Sequence, residues 1–80
     1  MIKIFPNPTN QIINIVLDNY STENFYLIKI FDLKGKNINS YQIHSSKNKI
    51  DLKKYKPSSY YIVLYENDTI IDKQLIQVVK

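Results

Sequence analysis

The sequence lacks several residue types, and each absence limits what the protein can be. Among its 80 residues there is no cysteine, no alanine and no arginine, and there is one glycine. Without cysteine, the chain has no disulfide framework, no thiolate metal site and no cysteine nucleophile. Without alanine, the strongest helix former is missing, and most of the hydrophobic residues are isoleucine, tyrosine and valine, which suit a pleated sheet. The composition therefore predicts an all-β fold.

Long apolar runs are also missing. No segment approaches the ~20 apolar residues that span a bilayer, and the first residues lack the apolar core and the cleavage site of a signal peptide. A chain of this length forms one small domain, and it buries only about 60% of the surface of its unfolded state. We therefore expect residues 1–80 to be a single domain without a transmembrane segment, derived from a larger protein that carries any export signal.

The positive charge comes from lysine alone. The formal net charge is +4, and the densest cluster of basic residues is Lys53, Lys54 and Lys56, beside Tyr55. Recognition of nucleic acid favours the planar fork of arginine, which this chain does not have. We therefore interpret the cluster as a solvated loop and expect no nucleic-acid partner.

Apolar and polar residues alternate with a period of two in several short segments, which is the pattern of half-buried β-strands. Turn-forming residues separate these segments at intervals of roughly 8–12 residues, a spacing typical of a β-sandwich. We therefore predict a small, seven-stranded, antiparallel β-sandwich. The predicted strands are a short first strand that ends at residue 5, followed by 12–17, 25–32, 37–43, 49–52, 60–65 and 69–79.

Three features predict the turns between these strands. Proline removes a backbone N–H and restricts the preceding residue, so Pro6-Asn7-Pro8 predicts a rigid turn after the first strand. Gly35, the only glycine, is expected at the left-handed position of a hairpin. In that hairpin, the Asp32 carboxylate is expected to accept hydrogen bonds from backbone N–H groups across the turn.

One predicted strand is also irregular. In residues 37–43, an uneven spacing of apolar residues predicts a β-bulge near Asn39 and Ser40.

Residues suited to catalysis or metal binding are few and scattered. The single histidine, His44, falls in a predicted loop without an evident acid–base partner. The carboxylates lie at turns and strand ends, where they usually accept backbone hydrogen bonds, and Glu66 and Asp68 lack the spacing of a calcium loop. We therefore expect no enzymatic activity, no metal and no cofactor.

Four short motifs follow one another along the whole chain. They are Phe5-Pro6-Asn7-Pro8-Thr9-Asn10, Ile30-Phe31-Asp32-Leu33-Lys34-Gly35-Lys36, Ile50-Asp51-Leu52 with Ser59-Tyr60-Tyr61-Ile62-Val63, and Lys73-Gln74-Leu75-Ile76. In this order they resemble the type A C-terminal sorting domain of cargo proteins of the type IX (Por) secretion system in Bacteroidota. Lys36 stands where that family usually has arginine, and Ser59 and Gln11 stand where it often has glycine.

The resemblance implies an Ig-like topology for the β-sandwich and a function outside catalysis. A domain of this family is the C-terminal secretion signal of a larger cargo protein, which the type IX translocon and its shuttle proteins take from the periplasm across the outer membrane. A sortase-like cysteine protease then removes the signal, and the cargo stays at the cell surface or becomes extracellular. On the family motifs, the candidate signal residues are Pro6, Asn7, Pro8, Asp32, Gly35, Lys36, Tyr61 and Lys73.

Alternatives stay open at this point. Tyr60, Tyr61 and Tyr65 lie in one predicted strand, and tyrosine rings can stack on sugars, so a carbohydrate-binding or adhesion module is the second hypothesis. Lys73 belongs either to the terminal segment of the signal or to an edge strand that it protects from aggregation. If the secretion machinery binds an exposed edge strand, the isolated domain is also expected to dimerise through that edge.

Overall fold

A computed structural model describes residues 2–80, and this part of the chain consists of seven β-strands joined by turns and loops, without a helix. The all-β prediction is therefore confirmed, and the strand ends agree with the sequence pattern to within two residues. The strands are β1 (Ile2–Phe5), β2 (Ile12–Leu17), β3 (Tyr26–Phe31), β4 (Asn37–Ile43), β5 (Lys47–Asp51), β6 (Ser58–Glu66) and β7 (Thr69–Val78).

The strands form two antiparallel sheets that enclose the core between them. The smaller sheet has the order β1-β2-β5, and the larger sheet has the order β4-β3-β6-β7. Strands that follow each other are paired in β1–β2, β3–β4 and β6–β7, and the chain crosses between the sheets after β2, β4 and β5. This arrangement confirms the predicted seven-stranded sandwich.

The core is built mainly from isoleucine. Ile28 and Ile30 of β3 and Ile62 and Leu64 of β6 point into it, and none of them is more than 1% exposed. Because side chains alternate across a strand, the residues between them form the outer face of the larger sheet. Burial of each such side chain stabilises the fold by about 1.5–3 kcal/mol relative to exposure. Other fully buried residues are Ile13, Ile15, Leu52, Ile76 and Val78.

A bulge interrupts the pairing of β3 with β4. Ile38 is the extra residue between Asn37 and Asn39, which lie opposite consecutive residues of β3. The bulge predicted near Asn39 and Ser40 is therefore confirmed, and the extra residue is the one that precedes Asn39. The spacing of apolar residues shows that the alternation breaks within this strand, but only the pairing with β3 identifies the residue that is left over.

A second bulge turns part of the apolar surface of β7 outward. Asp72 lies opposite Leu64 and Ile70 lies opposite Tyr65, so Ile71 is the extra residue. Ile70 therefore shares the outer face with Tyr65 and is 58% exposed, whereas Ile71 packs against the core. The apolar pattern did not predict this bulge. Positions 70 and 71 are both isoleucine, and the sequence does not show which of the two faces the core.

Neither a membrane-spanning helix nor a metal-binding cluster occurs in residues 2–80. No helix in this range is long and apolar enough to cross a membrane. No group of three or more histidine, aspartate and glutamate side chains in the same range is placed to hold a metal ion.

Candidate functional site

The turn that follows β1 lies against the outer edge of β7. The Asn7 side chain bridges two backbone groups of that edge, because Nδ2 donates to the Leu75 carbonyl at 3.2 Å and Oδ1 accepts from the Gln77 N–H at 3.0 Å. The backbone of Thr9 donates to the Gln77 carbonyl at 2.9 Å and accepts from the Val79 N–H at 2.8 Å. The turn therefore occupies hydrogen-bonding groups that an edge strand otherwise offers to a partner strand.

The start of β1 is tied to the same strand. The Ile2 N–H donates to Asp72 Oδ2 at 2.8 Å, and Gln74 Nε2 donates to the Ile2 carbonyl at 2.7 Å. The chain from residue 2 to residue 9 thus runs beside β7. Sequence reasoning missed Asp72 and Gln74 in this position, because the partners are 70 and 72 residues apart and no local pattern predicts such a contact.

Two prolines flank Asn7 and shape the turn. Pro6 and Pro8 are both exposed, and both follow cis peptide bonds. Since proline locks φ and has no N–H, these residues limit the conformations available to the segment that presents Asn7 to β7. The turn predicted after the first strand is confirmed.

We expect Asn7→Ala to lower the free energy of unfolding by about 1 kcal/mol, because two exposed hydrogen bonds to β7 are lost. Urea denaturation of the isolated domain measures the change. Asn10→Ala is the matched control, since Asn10 is an exposed asparagine of the same loop, and its effect should stay below about 0.5 kcal/mol. Equal losses at the two positions would contradict the bridge.

The hairpin between β3 and β4 is held by Asp32. Its Oδ1 accepts from the N–H of Lys34 at 2.9 Å and from the N–H of Lys36 at 2.8 Å. Its backbone carbonyl accepts from the Gly35 N–H at 3.0 Å. Gly35 has a φ of 87° and an added Cβ would meet no atom within 4 Å, so backbone conformation rather than space favours glycine here. Both features agree with the turn that the sequence predicts.

A groove of about 310 Å³ lies on the outer face of the larger sheet, beside this hairpin. We call it the outer groove. Val63 of β6 lies in it and is only 4% exposed, although it is outside the core cluster. Three aromatic side chains line the groove together with Val63, and three residues of the hairpin between β3 and β4 also line it. The other lining residues are Phe31, Asp32, Leu33, Gly35, Tyr61, Tyr65, Ile70 and Lys73.

Two lysines flank Val63 and lie over tyrosine rings. In the sheet register, Val63 is opposite Lys29 of β3 on one side and Lys73 of β7 on the other. Lys73 Nζ lies 4.6 Å from the centroid of the Tyr61 ring, and Lys29 Nζ lies 4.9 Å from that of Tyr65. Each such cation–π contact is favourable by about 0.5–1 kcal/mol at an exposed site. The aliphatic stems of the lysines therefore cover Val63 while the ammonium groups stay at the surface.

The tyrosines do not form a free platform for sugars. A sugar stacks on an open ring face, but Tyr61 and Tyr65 each have a lysine ammonium over the ring. Tyr60, on the other side of the same strand, is 6% exposed and belongs to the core. The geometry therefore gives no support to the carbohydrate-binding hypothesis.

Lys36 lies apart from the outer groove, in a neighbouring depression that Tyr55 and Tyr60 also line. The Tyr60 hydroxyl donates to the Lys56 carbonyl at 2.6 Å, and its ring meets that of Tyr55 edge-on at 5.3 Å between centroids. Burial raises the pKa of both phenols, and the Asp32 carboxylate adds to the effect at Tyr60. Both tyrosines therefore stay protonated at neutral pH. Tyr60 acts as a hydrogen-bond donor and a packing group, and Tyr55 acts as a packing group.

Four of the sequence-predicted signal residues meet at the outer groove, and the others lie elsewhere. The Pro6-Asn7-Pro8 turn sits at the edge of β7, and Lys36 lines the neighbouring depression. Sequence reasoning missed Lys29 and Val63 as residues of a shared surface. The period of each strand shows which residues share a face, but not which strands are neighbours. The four that meet are Asp32, Gly35, Tyr61 and Lys73.

The comparison with protein families agrees with the sequence motifs. Residues 3–79 match the family described as the secretion system C-terminal sorting domain, so the match extends over nearly the whole chain. A comparison with curated proteins found no match. The match includes all four of the motifs described above. The chain belongs to the family of type IX secretion C-terminal sorting domains, which is a family of Bacteroidota.

Proposed function

We propose that this domain is the C-terminal address of a cargo protein, which it directs across the outer membrane through the type IX translocon. The observation that carries the proposal is the family match over residues 3–79. The domain is non-catalytic in this proposal and acts by being bound. Its geometry supports such a role, because the matched motifs build a hydrogen-bonded hairpin and a surface groove on one rigid sandwich.

The cargo precursor passes through the periplasm, where shuttle proteins and the translocon bind the folded domain. A sortase-like cysteine protease then removes the domain, and the cargo stays at the cell surface or in the medium. The position of Ile2 supports a defined junction, since it is hydrogen-bonded to Asp72 and Gln74. A polypeptide that precedes residue 2 therefore leaves the domain beside β7.

The sheet edges bear on how the domain associates. The edge of β7 is covered at Leu75 and Gln77 by the turn after β1, and the start of β1 is itself bound to Asp72 and Gln74 of β7. The two remaining outer strands are β4 and β5. An edge-strand dimer therefore stays a prediction for β4 or β5. Light scattering of the isolated domain at increasing concentration tests it, and a constant monomer mass would contradict it.

A fusion experiment tests the sorting function. A fluorescent protein with an ordinary export signal carries residues 1–80 at its C-terminus and is produced in a Bacteroidota host with or without a working type IX system. We expect fluorescence at the cell surface or in the medium only in the host with the intact system. A decrease in mass of the secreted protein, by about the 9.5 kDa of the domain, would support removal by the protease.

The result that contradicts the proposal is retention of the fusion in the periplasm of both hosts. Surface fluorescence that does not depend on the type IX system would contradict it equally. A secreted fusion of unchanged mass would support sorting and reject cleavage, so the two parts of the proposal are separated in one experiment.

A further inference from the structure

We propose that the outer groove is where a protein of the secretion machinery binds the domain, through an extended segment that carries carboxylates beside an apolar side chain. This inference rests on the proposed function and adds to it the chemistry of the partner. The observations that carry it are an exposed apolar face, two ammonium groups that lie over tyrosine rings of that face and a covered neighbouring edge.

The apolar part of the surface extends beyond the groove itself. Leu75 lies opposite Tyr61 in the register and is 50% exposed, and Ile70 lies opposite Tyr65 and is 58% exposed. Phe31 adds a third partly exposed side chain from β3. Contiguous exposed apolar surface on a small domain marks an interaction site, and here it lies on one face of one sheet.

The charges at the groove select an acidic partner. Lys29 and Lys73 hold their ammonium groups over tyrosine rings rather than against carboxylates. The carboxylates nearby are already hydrogen-bonded to backbone N–H groups, Asp32 within its hairpin and Asp72 at the start of β1. An external carboxylate can therefore pair with either lysine without breaking an internal contact.

The spacing of the two lysines suits an extended segment. They lie on either side of Val63 in adjacent strands, and two strand spacings put their Cα atoms roughly 10 Å apart. In an extended segment, an apolar side chain can therefore sit over Val63 while acidic residues on both sides reach Lys29 and Lys73.

Other occupants fit the surface less well. Sugars need open ring faces, and both rings are covered. A second copy carries the same net charge of +4, which opposes association. Addition of a strand at the nearest edge is hindered, because Asn7 and Thr9 already bind that edge at Leu75 and Gln77. On this side of the domain, the accessible surface is therefore the outer face of the larger sheet and not the edge of β7.

The chain contains a matched control for the two lysines. On the outer face of the smaller sheet, Val16 lies opposite Lys3 on one side and Lys47 on the other. The variants Lys29→Glu/Lys73→Glu and Lys3→Glu/Lys47→Glu therefore make the same change in net charge, each on a pair of lysines that flanks a valine. The groove at Val16 has no aromatic residue in its lining, which consists of Asn14, Val16, Lys47, Asn48 and Lys49.

The fusion of residues 1–80 is compared with its two double variants in the host with an intact type IX system. We expect the Lys29→Glu/Lys73→Glu fusion to be secreted at least about tenfold less than the parent, because like charges then face the partner. The Lys3→Glu/Lys47→Glu fusion should be secreted within about twofold of the parent, because it changes charge away from the binding face. Thermal unfolding of the three domains checks that each variant is folded, and a cooperative transition is expected for all three.

The outcomes separate the inference from the proposed function. Retention of the parent fusion contradicts the proposed function and the inference with it. Secretion of the parent and of both variants leaves the function in place and overturns the inference. Equal retention of the two double variants also overturns it, because net charge rather than the outer groove then decides secretion.

A zero-length carbodiimide cross-link identifies the partner class. This reagent joins a lysine amine to a carboxylate in direct contact, so mass spectrometry of solubilised membranes that hold the parent fusion should find Lys29 or Lys73 joined to an aspartate or glutamate of another protein. The same lysines left unjoined, or a glycan or lipid in place of a peptide, would overturn the assignment to an acidic protein segment.

Discussion

Replacement of Ile62 by alanine is expected to lower the free energy of unfolding by about 4 kcal/mol. Ile62 is fully buried in β6, where it lies between Ile30 of β3 and Gln74 of β7 in the register. The variant loses the transfer free energy of three carbon atoms and leaves a cavity that a sandwich held by both sheets cannot close. A domain of this length has a total stability of about 4–12 kcal/mol, so the variant is close to unfolded at 37 °C. Urea denaturation at 25 °C measures the loss.

Ile38→Ala is the matched control for this prediction. Ile38 is 40% exposed at the β4 bulge, so its truncation should change the free energy of unfolding by about 0.5 kcal/mol or less. Losses of similar size at Ile62 and Ile38 would show that the core is not where the structure has it. The pair also tests function, because a machinery that binds the folded face rejects the Ile62 fusion and accepts the Ile38 fusion.

The strands were predictable because the physics that sets them is local. Buried and partly buried residues alternate through Tyr26–Phe31, and β-branched and aromatic residues fill most of Ser58–Glu66. Pro6, Pro8 and Gly35 mark turns by their own backbone chemistry. The Asp32 hairpin was predictable for the same reason, since the carboxylate and the N–H groups it binds are at most four residues apart.

The outer groove was not predictable, because it depends on pairing between distant strands. Lys29 and Lys73 become neighbours of Val63 only once β3 and β7 are known to flank β6. Val63 is buried on the outer face, outside the core cluster, so its burial has no counterpart in the period of the strand. The bulge at Ile71 adds to this, since it moves Ile70 onto the same face.

The turn that covers the β7 edge was also not predictable as a contact, because its partners are distant in the sequence. The turn motif around Asn7 was recognisable as a turn, but its contacts with Leu75 and Gln77 span 68 and 70 residues. A motif at the start of the chain and a motif at its end thus form one hydrogen-bonded unit. This explains in physical terms why both ends of the sequence carry motifs of the same family.

Replacement of Asp32 by alanine is expected to lower the free energy of unfolding by about 2 kcal/mol, because the N–H groups of Lys34 and Lys36 lose the charged carboxylate to which they donate. Without them the Gly35 turn is held by backbone contacts alone, and the side of the outer groove that the hairpin forms becomes mobile. Urea denaturation measures the loss, and secretion of the fusion should decrease along with it.

Asp51→Ala is the matched control for Asp32→Ala. Asp51 ends β5 and accepts one backbone hydrogen bond, from the Lys53 N–H at 2.8 Å, in an exposed position away from the outer groove. Asp51→Ala should therefore cost about 1 kcal/mol or less and leave secretion near that of the parent. A loss at Asp32 no larger than the loss at Asp51 would mean that the carboxylate does not hold the hairpin. The variant Asp32→Asn retains an acceptor oxygen and should recover about half of the stability that Asp32→Ala loses. Its secretion should recover by a similar fraction, because secretion depends on the structure of the hairpin and not on the negative charge of residue 32.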